Sequence, residues 1–343
     1  MPPSARRVPR PHGFSPGFIL ALIFLAGLAL SRPAAAATRP MPVILDTDIG
    51  DDIDDTWALG LLLKSPELDL KLVVGDQGKA QYRAKILAKL LERAGRTDVA
   101  VGLGVEANAK GDGPQAAWVK DYDLARYPGK VHADGVQAMI DVIMQSPEPV
   151  TLIAIGPLPN IPVALAREPR IAQRARFVGM HGSVRVGYGG GREVAPEYNV
   201  KEDVKACQRA FTAPWEITIT PLDTCGFIDL SGALYASVRD AKDPVAQAVI
   251  ENYRAWCRRP DDPNFKMNPD ERSSTLFDTV AVYLAFAQDL VTMEKLAIKV
   301  SDDGFTRIDP AGKTMNVATA WKNLDGFRTL LAGRLAGPSP VRK

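Results

Sequence analysis

Residues 43–59, VILDTDIGDDIDDTWAL, constrain this chain more than any other stretch. Six aspartates, Asp46, Asp48, Asp51, Asp52, Asp54 and Asp55, fall within ten consecutive positions, with an apolar run directly before them and another directly after. A short apolar run, a turn and an apolar helical stretch describe a buried strand feeding a helix, the repeating unit of a parallel sheet. One or two acids at such a turn need only the free N–H groups and dipole of the helix N-terminus. Six exceed that account, because like charges at this density raise one another's pKa and oppose folding unless a cation sits among them. Hard oxygen ligands point to Ca²⁺ or Mg²⁺, with Ca²⁺ favoured by the number of carboxylates.

The rest of the chain repeats the same unit. Strands are predicted over 41–46, 68–75, 98–104, 149–156, 175–182 and 216–223, and helices over 54–65, 79–95, 134–146 and 159–168, followed by a more helical region at 229–258. Strands alternating with helices of this length predict an α/β fold: a mainly parallel, Rossmann-like open central sheet flanked by helices, with a more helical C-terminal part. Sites in such sheets lie beyond the carboxyl ends of the strands. Asp46, Asp48, Gly156, Met180 to Gly182 and Asp223 all fall at that edge.

The first residues read differently. Arg6, Arg7 and Arg10 precede the apolar stretch GFILALIFLAGLALS (17–31) and the small residues PAAAA (33–37), the order of a secretory signal peptide. A tilted membrane anchor is the alternative. The expected organisation is a signal peptide at 1–37, a catalytic domain at 38–335 and a frayed tail at 336–343, in a periplasmic or secreted protein with no stable membrane anchor after cleavage. Cleavage would remove four arginines and no acid, turning 42 basic against 40 acidic residues into 38 against 40. No basic patch for a nucleic-acid partner is then expected. Three distant cysteines, Cys207, Cys225 and Cys257, make no disulfide framework, and His12, His132 and His181 are too few for a Cys/His zinc site. Chemistry must rest on carboxylates.

Two familiar carboxylate motifs fit badly. An EF-hand counted from Asp46 would place Asp51 where glycine is needed and Trp57 where glutamate is needed. A phosphatase of the haloacid dehalogenase type would use Asp46 as nucleophile in DxDx(T/V), but Gly50 stands at its last position. VILDTDIGDDIDDTWAL instead resembles the DTDPGxDDAxAL signature of the inosine–uridine-preferring nucleoside hydrolase family. VVGDQG (73–78), TLIAIGPLPN (151–160), FVGMHGS (177–183), PEYN (196–199) and LFDTVAVYLAF (276–286) follow in that family's order, resembling its GN, GPLTN, MGG, ExN and HDPxAV elements. Ordered matches are far more specific than any one of them.

The resemblance implies Ca²⁺-assisted hydrolysis of the N-glycosidic bond of a nucleoside-like small molecule, by a chain that forms homo-oligomers in many family members. By position it implies Asp48 as both metal ligand and base for the attacking water. Asp55, Asp278 and the Ile155 carbonyl are implied as further ligands, and Asp54, Asp76, Met180, Glu197 and Asn199 as sugar contacts. IGDDIDD carries two residues more than the family's PGxDD, so Asp52 is a further candidate for the ion. Phe277 stands where many members carry the histidine that protonates the departing base, and His181 is the expected substitute. Arg83 is expected to pair with Asp76, and Tyr198 and Trp215 are candidates for stacking on a base. A ribosyl-binding protein without catalysis is the competing reading.

Overall fold

The computed structural model describes residues 39–109, 111–258, 262 and 265–340. The expected signal peptide, 1–37, and the last three residues of the expected tail lie outside them. The chain runs through β1 (Met41–Thr47), α1 (Asp54–Leu63), β2 (Leu68–Gly75), α2 (Ala80–Arg93), β3 (Ala100–Gly102) and α3 (Ala116–Val119). It continues through β4 (Val131–His132), α4 (Gly135–Gln145), β5 (Val150–Ala154), α5 (Asn160–Arg167), α6 (Ile171–Arg174) and β6 (Ala175–Met180). Next come α7 (Tyr198–Glu202), α8 (Val204–Thr212), β7 (Ile217–Thr220), α9 (Leu222–Cys225), α10 (Gly232–Arg239), α11 (Pro244–Cys257) and α12 (Thr279–Phe286). β8 (Val291–Val300), β9 (Thr306–Ile308), β10 (Lys313–Trp321) and α13 (Leu324–Ala336) complete it.

The strands form one ten-stranded sheet in the order β4-β3-β2-β1-β5-β6-β7-β10-β8-β9. All pairs from β4 to β10 are parallel, and only β8 and β9 add antiparallel edges. Sequence order reverses between β1 and β5, so this is the switch point where the loops after two neighbouring strands part and open a crevice. Strand alternation explains why β1 lacks an amphipathic pattern: Val43 and Leu45 pack into one core, Ile44 into the other. Every residue of α1 is buried, because the helix packs against the sheet at β2 and is surrounded by α11, α12 and α13.

Every predicted strand and helix is present, with ends shifted by a few residues. The 229–258 region is two helices, α10 and α11. The helical C-terminal part also carries β8–β10, which no strand prediction covered. β8, VTMEKLAIKV, mixes charged with apolar residues and is only half-buried at the sheet's far side, so its side chains show little strand periodicity. Cys207, Cys225 and Cys257 form no disulfide, and the first two are buried.

Candidate active site

The acidic turn is shaped by its carbonyl groups. Arg83, 2 % exposed on α2, donates from Nη1 to the carbonyls of Asp48 and Ile49 and from Nη2 to Asp51 Oδ2 (2.8 Å). Tyr82 Oη donates to the Gly50 carbonyl (2.8 Å), Trp256 Nε1 to that of Asp51 (3.0 Å) and Gln115 Nε2 to that of Asp52 (2.8 Å). Each carbonyl from residue 48 to residue 52 thus meets a side-chain donor, satisfying a buried backbone that no strand or helix serves. Gly50 has φ +122°, and a Cβ there would come within 2.7 Å of the Tyr82 ring. Held this way, the turn delivers Asp54 and Asp55 to the first turn of α1.

Asp278 immediately precedes α12, so the N-termini of two helices meet at these acids. Ligand oxygens of Asp54, Asp55 and Asp278 lie within 4.8 Å of one another, all buried. Thr47 Oγ1 donates to Asp55 Oδ1. Burial first, and the neighbouring aspartates next, push Asp54, Asp55 and Asp278 well above the ordinary carboxyl range. Burial likewise pushes Asp48 up to about 7, opposed by Arg83. Buried oxygens converging without a counter-charge suit a hard divalent cation, and two helix N-termini alone would not hold three charges.

A cleft of about 590 Å³ opens over this cluster. Asp48, Asp52, Asp54, Asp55, Ile155 and Asp278 form its acidic side, with Met180, Glu197 and Asn199 beside them. Tyr188, Tyr198, Trp256, Phe265 and Phe277 form an aromatic side. Glu197 caps α7: Oε1 accepts from Asn199 N (2.8 Å), and Oε2 from Gly182 N (2.9 Å) and Val200 N (3.3 Å). Burial still pushes it up to about 7. Asn199 Nδ2 donates to the Ile155 carbonyl (3.1 Å) and the Met180 carbonyl (3.0 Å), tying the ends of β5 and β6 together. A larger outer groove of about 840 Å³, lined by mixed charges such as Lys89, Asp121, Arg239 and Glu251, holds none of the expected site residues.

Inosine-uridine preferring nucleoside hydrolases, as a family profile, match residues 43–328. The chain belongs to this family. The hydrolase is 30 % identical over 230 residues to the pyrimidine-specific ribonucleoside hydrolase RihA of Enterobacter sp. (strain 638), covering 62 % of this chain and 69 % of that one. It is 28 % identical over 316 residues to the non-specific ribonucleoside hydrolase RihC of Salmonella paratyphi A, covering 86 % and 97 %. A solved plant nucleoside hydrolase, the PpNRh1 enzyme, superposes with a TM-score of 0.73 at 20 % identity over 87 % of this chain and all of the other, a likeness of fold. The hydrolase is therefore an enzyme acting on N-glycosyl compounds, and the implied substrate is a small nucleoside-type molecule.

Several expected site residues lie elsewhere than the cleft wall. His181 is fully buried: Nε2 lies 3.0 Å from the Gly156 carbonyl, and its ring packs against Phe177 and Phe211 in the core on the other face of the sheet. Strand alternation is the cause, since Met180 turns to the cleft and His181, one residue on, turns away. Burial lowers its pKa to about 4, so the imidazole is neutral and sealed. Asp76 lies beneath the floor, not in it: a Cβ on Gly156 would meet its carboxylate oxygens at 2.5 and 2.7 Å. Arg83 grips the acidic turn and Asp51 rather than hydrogen-bonding Asp76. Asp52 lines the cleft from an exposed position, its Oδ1 accepting from Ile53 N, outside the Asp54–Asp55–Asp278 group. Trp215 stacks on Phe177 in the core, whereas Tyr198 does line the cleft.

Asp46, the nucleophile of the phosphatase reading, is 0 % exposed, accepts from Asn160 Nδ2 (2.6 Å) and lines no part of the cleft. The residues missed by sequence reasoning are those that hold the turn, Tyr82, Gln115 and Trp256, and the ring side, Tyr188 and Phe265. Isolated aromatic residues in loops carry no periodicity that would single them out.

Proposed function

We propose that this chain hydrolyses the N-glycosidic bond of a ribonucleoside or related N-ribosyl compound to free base and ribose, with Ca²⁺ as its metal. The observation that carries this is the convergence of Asp54, Asp55 and Asp278 at two helix N-termini beside Asp48, under a cleft of nucleoside size. Asp48, Asp55, Asp278 and the Ile155 carbonyl would hold the ion. The carbonyl has a second lone pair beyond its bond from Asn199. When bound, Ca²⁺ supplies a Lewis acid that lowers the pKa of water.

Asp48 accepts the proton of the attacking water. Asp54, Glu197 and the Oδ1 of Asn199 orient the sugar by accepting from its hydroxyls, and Met180 packs beneath the ring. The surrounding carboxylates stabilise positive charge that develops on the sugar as the bond breaks. Glu197, fixed by three backbone N–H groups, is preorganised for that task.

Reducing-sugar release from a panel of nucleosides, before and after EDTA and after Ca²⁺ is restored, tests the reading. Release that stops with EDTA and returns with Ca²⁺ supports it. Failure of every nucleoside in the presence of Ca²⁺, with saturable binding retained, would replace it by a ribosyl-binding role. Export to the periplasm or medium is proposed on residues 1–37 alone. Mass spectrometry of the mature N-terminus tests it, and an uncleaved Met1 on soluble protein would refute cleavage.

A further inference from the structure

The two sides of the cleft differ in a way that bears on the leaving group. Among the described residues lining it there is no lysine, arginine or histidine, while six carboxylate residues besides Asp51 line it together with five aromatic rings. Asp51 itself is paired with Arg83. The rings are held in place: Trp256 by its bond to the Asp51 carbonyl (3.0 Å) and by Phe265 edge-on at 4.9 Å, Phe277 by Tyr188 edge-on at 6.4 Å. A neutral base that leaves C1′ takes an electron pair with it and must be protonated. Glu197 has both oxygens engaged as acceptors, and the hydroxyls of Tyr188 and Tyr198, residues 47 % and 44 % exposed, are made weaker acids than free phenols by partial desolvation first and by Glu197 and Asp48 next. Among the described residues lining it, the cleft therefore offers no basic side chain as donor but matches a flat cation, whose charge is drawn both to carboxylates and to ring faces.

We infer that the cleft selects N-ribosides whose base is already cationic, a pyridinium or an N-alkylated purine; this rests on the proposed N-glycosidic hydrolysis. Water oxygen bonds to C1′, its proton passes to Asp48, and the C1′–N bond breaks with its electron pair going to the ring nitrogen. That pair neutralises the base, so no acid is required and the step balances with water alone.

The test uses two matched pairs with the Ca²⁺-loaded enzyme: N7-methylguanosine against guanosine, in mildly acid buffer that keeps the former cationic, and N-ribosylnicotinamide against uridine. The charged member of each pair is expected to have kcat/KM at least about tenfold higher. Phe277→His, which puts an imidazole on the ring side, is expected to reduce that ratio by about tenfold or more by helping only the neutral base. A ratio is unaffected by any inactive fraction of the variant, and if none is soluble the wild-type ratios decide. Neutral members cleaved as well as charged ones would overturn this inference and leave the hydrolase reading standing. No cleavage of any of the four would overturn both.

Discussion

Asp46 and Asp48 stand two residues apart at the end of β1 and meet opposite surroundings. Asp46 still belongs to the strand, and its side chain points to the α5 face, where Asn160 holds one oxygen while the other has no partner among the described residues. Asp76 lies close by, near enough for a hydrogen bond between the two carboxyl groups when one of them is protonated. Asp48 lies past the strand end and turns into the cleft with Asp54, Asp55 and Asp278. One group of acids faces a space that a cation and a sugar can fill; the other is sealed under Gly156 and is relieved by holding protons. Like side chains are given different chemistry by access alone.

The comparison is broken most sharply by Asp48→Asn. The isosteric change removes the base, and kcat is expected to fall by about 10²–10⁴ while the unfolding midpoint barely moves. Steady-state kinetics beside thermal unfolding would show it, and a large loss of stability with kcat retained would reverse the assignment. Arg83→Met comes next. It strips donors from the carbonyls of Gln77, Asp48 and Ile49 and leaves Asp51 unpaired. We expect about 2–4 kcal/mol less stability by urea titration, together with weaker Ca²⁺ binding, since the acidic turn loses its grip. Wild-type Ca²⁺ affinity in this variant would show that the turn needs no clamp.

Asp46→Asn sharpens the sealed half. Burial raises Asp46 from the ordinary 3.8 to about 7, so the folded state keeps a proton that the unfolded chain releases. That stabilisation is complete below the unfolded value and is lost as pH rises through about 7. Metal-free wild-type protein should therefore weaken between about pH 5 and about pH 8, and the variant should weaken less. Equal pH slopes in urea titrations would refute the account. The smallest effect is expected from His181→Leu. It loses one buried hydrogen bond, about 1 kcal/mol of stability, with kcat changed by less than about tenfold. A drop of about 10²-fold or more would restore His181 to catalysis.

The fold was legible because each βα unit in the first two-thirds of the chain is locally consistent. VILD, LDLKLVVG and TLIAIG are apolar runs bounded by turn residues, and the helices between them carry clear stripes or caps. β8 to β10 were not, since strands at this antiparallel end of the sheet draw their order from partners rather than from their own pattern. In the site, the ordered motifs single out Asp48, Asp54, Asp55, Ile155, Met180, Glu197, Asn199 and Asp278, all of which line the cleft. They misplace Asp76 and His181, whose neighbours in sequence do reach the edge.

The sequence by itself determined the strand–turn–helix at residues 43–59, the family and the acidic character of the chemistry, because local apolar patterning and ordered motifs are properties of the chain. Which aspartates face the cleft was decided only by the tertiary structure. The donors that hold the turn come from Tyr82, Arg83, Gln115 and Trp256, up to 205 positions away. Likewise, the one-residue step that sends Met180 to the cleft and His181 to the core follows from how β6 sits between β5 and β7. A side chain's access to solvent depends on what packs against it, and that is known only once the whole chain has folded.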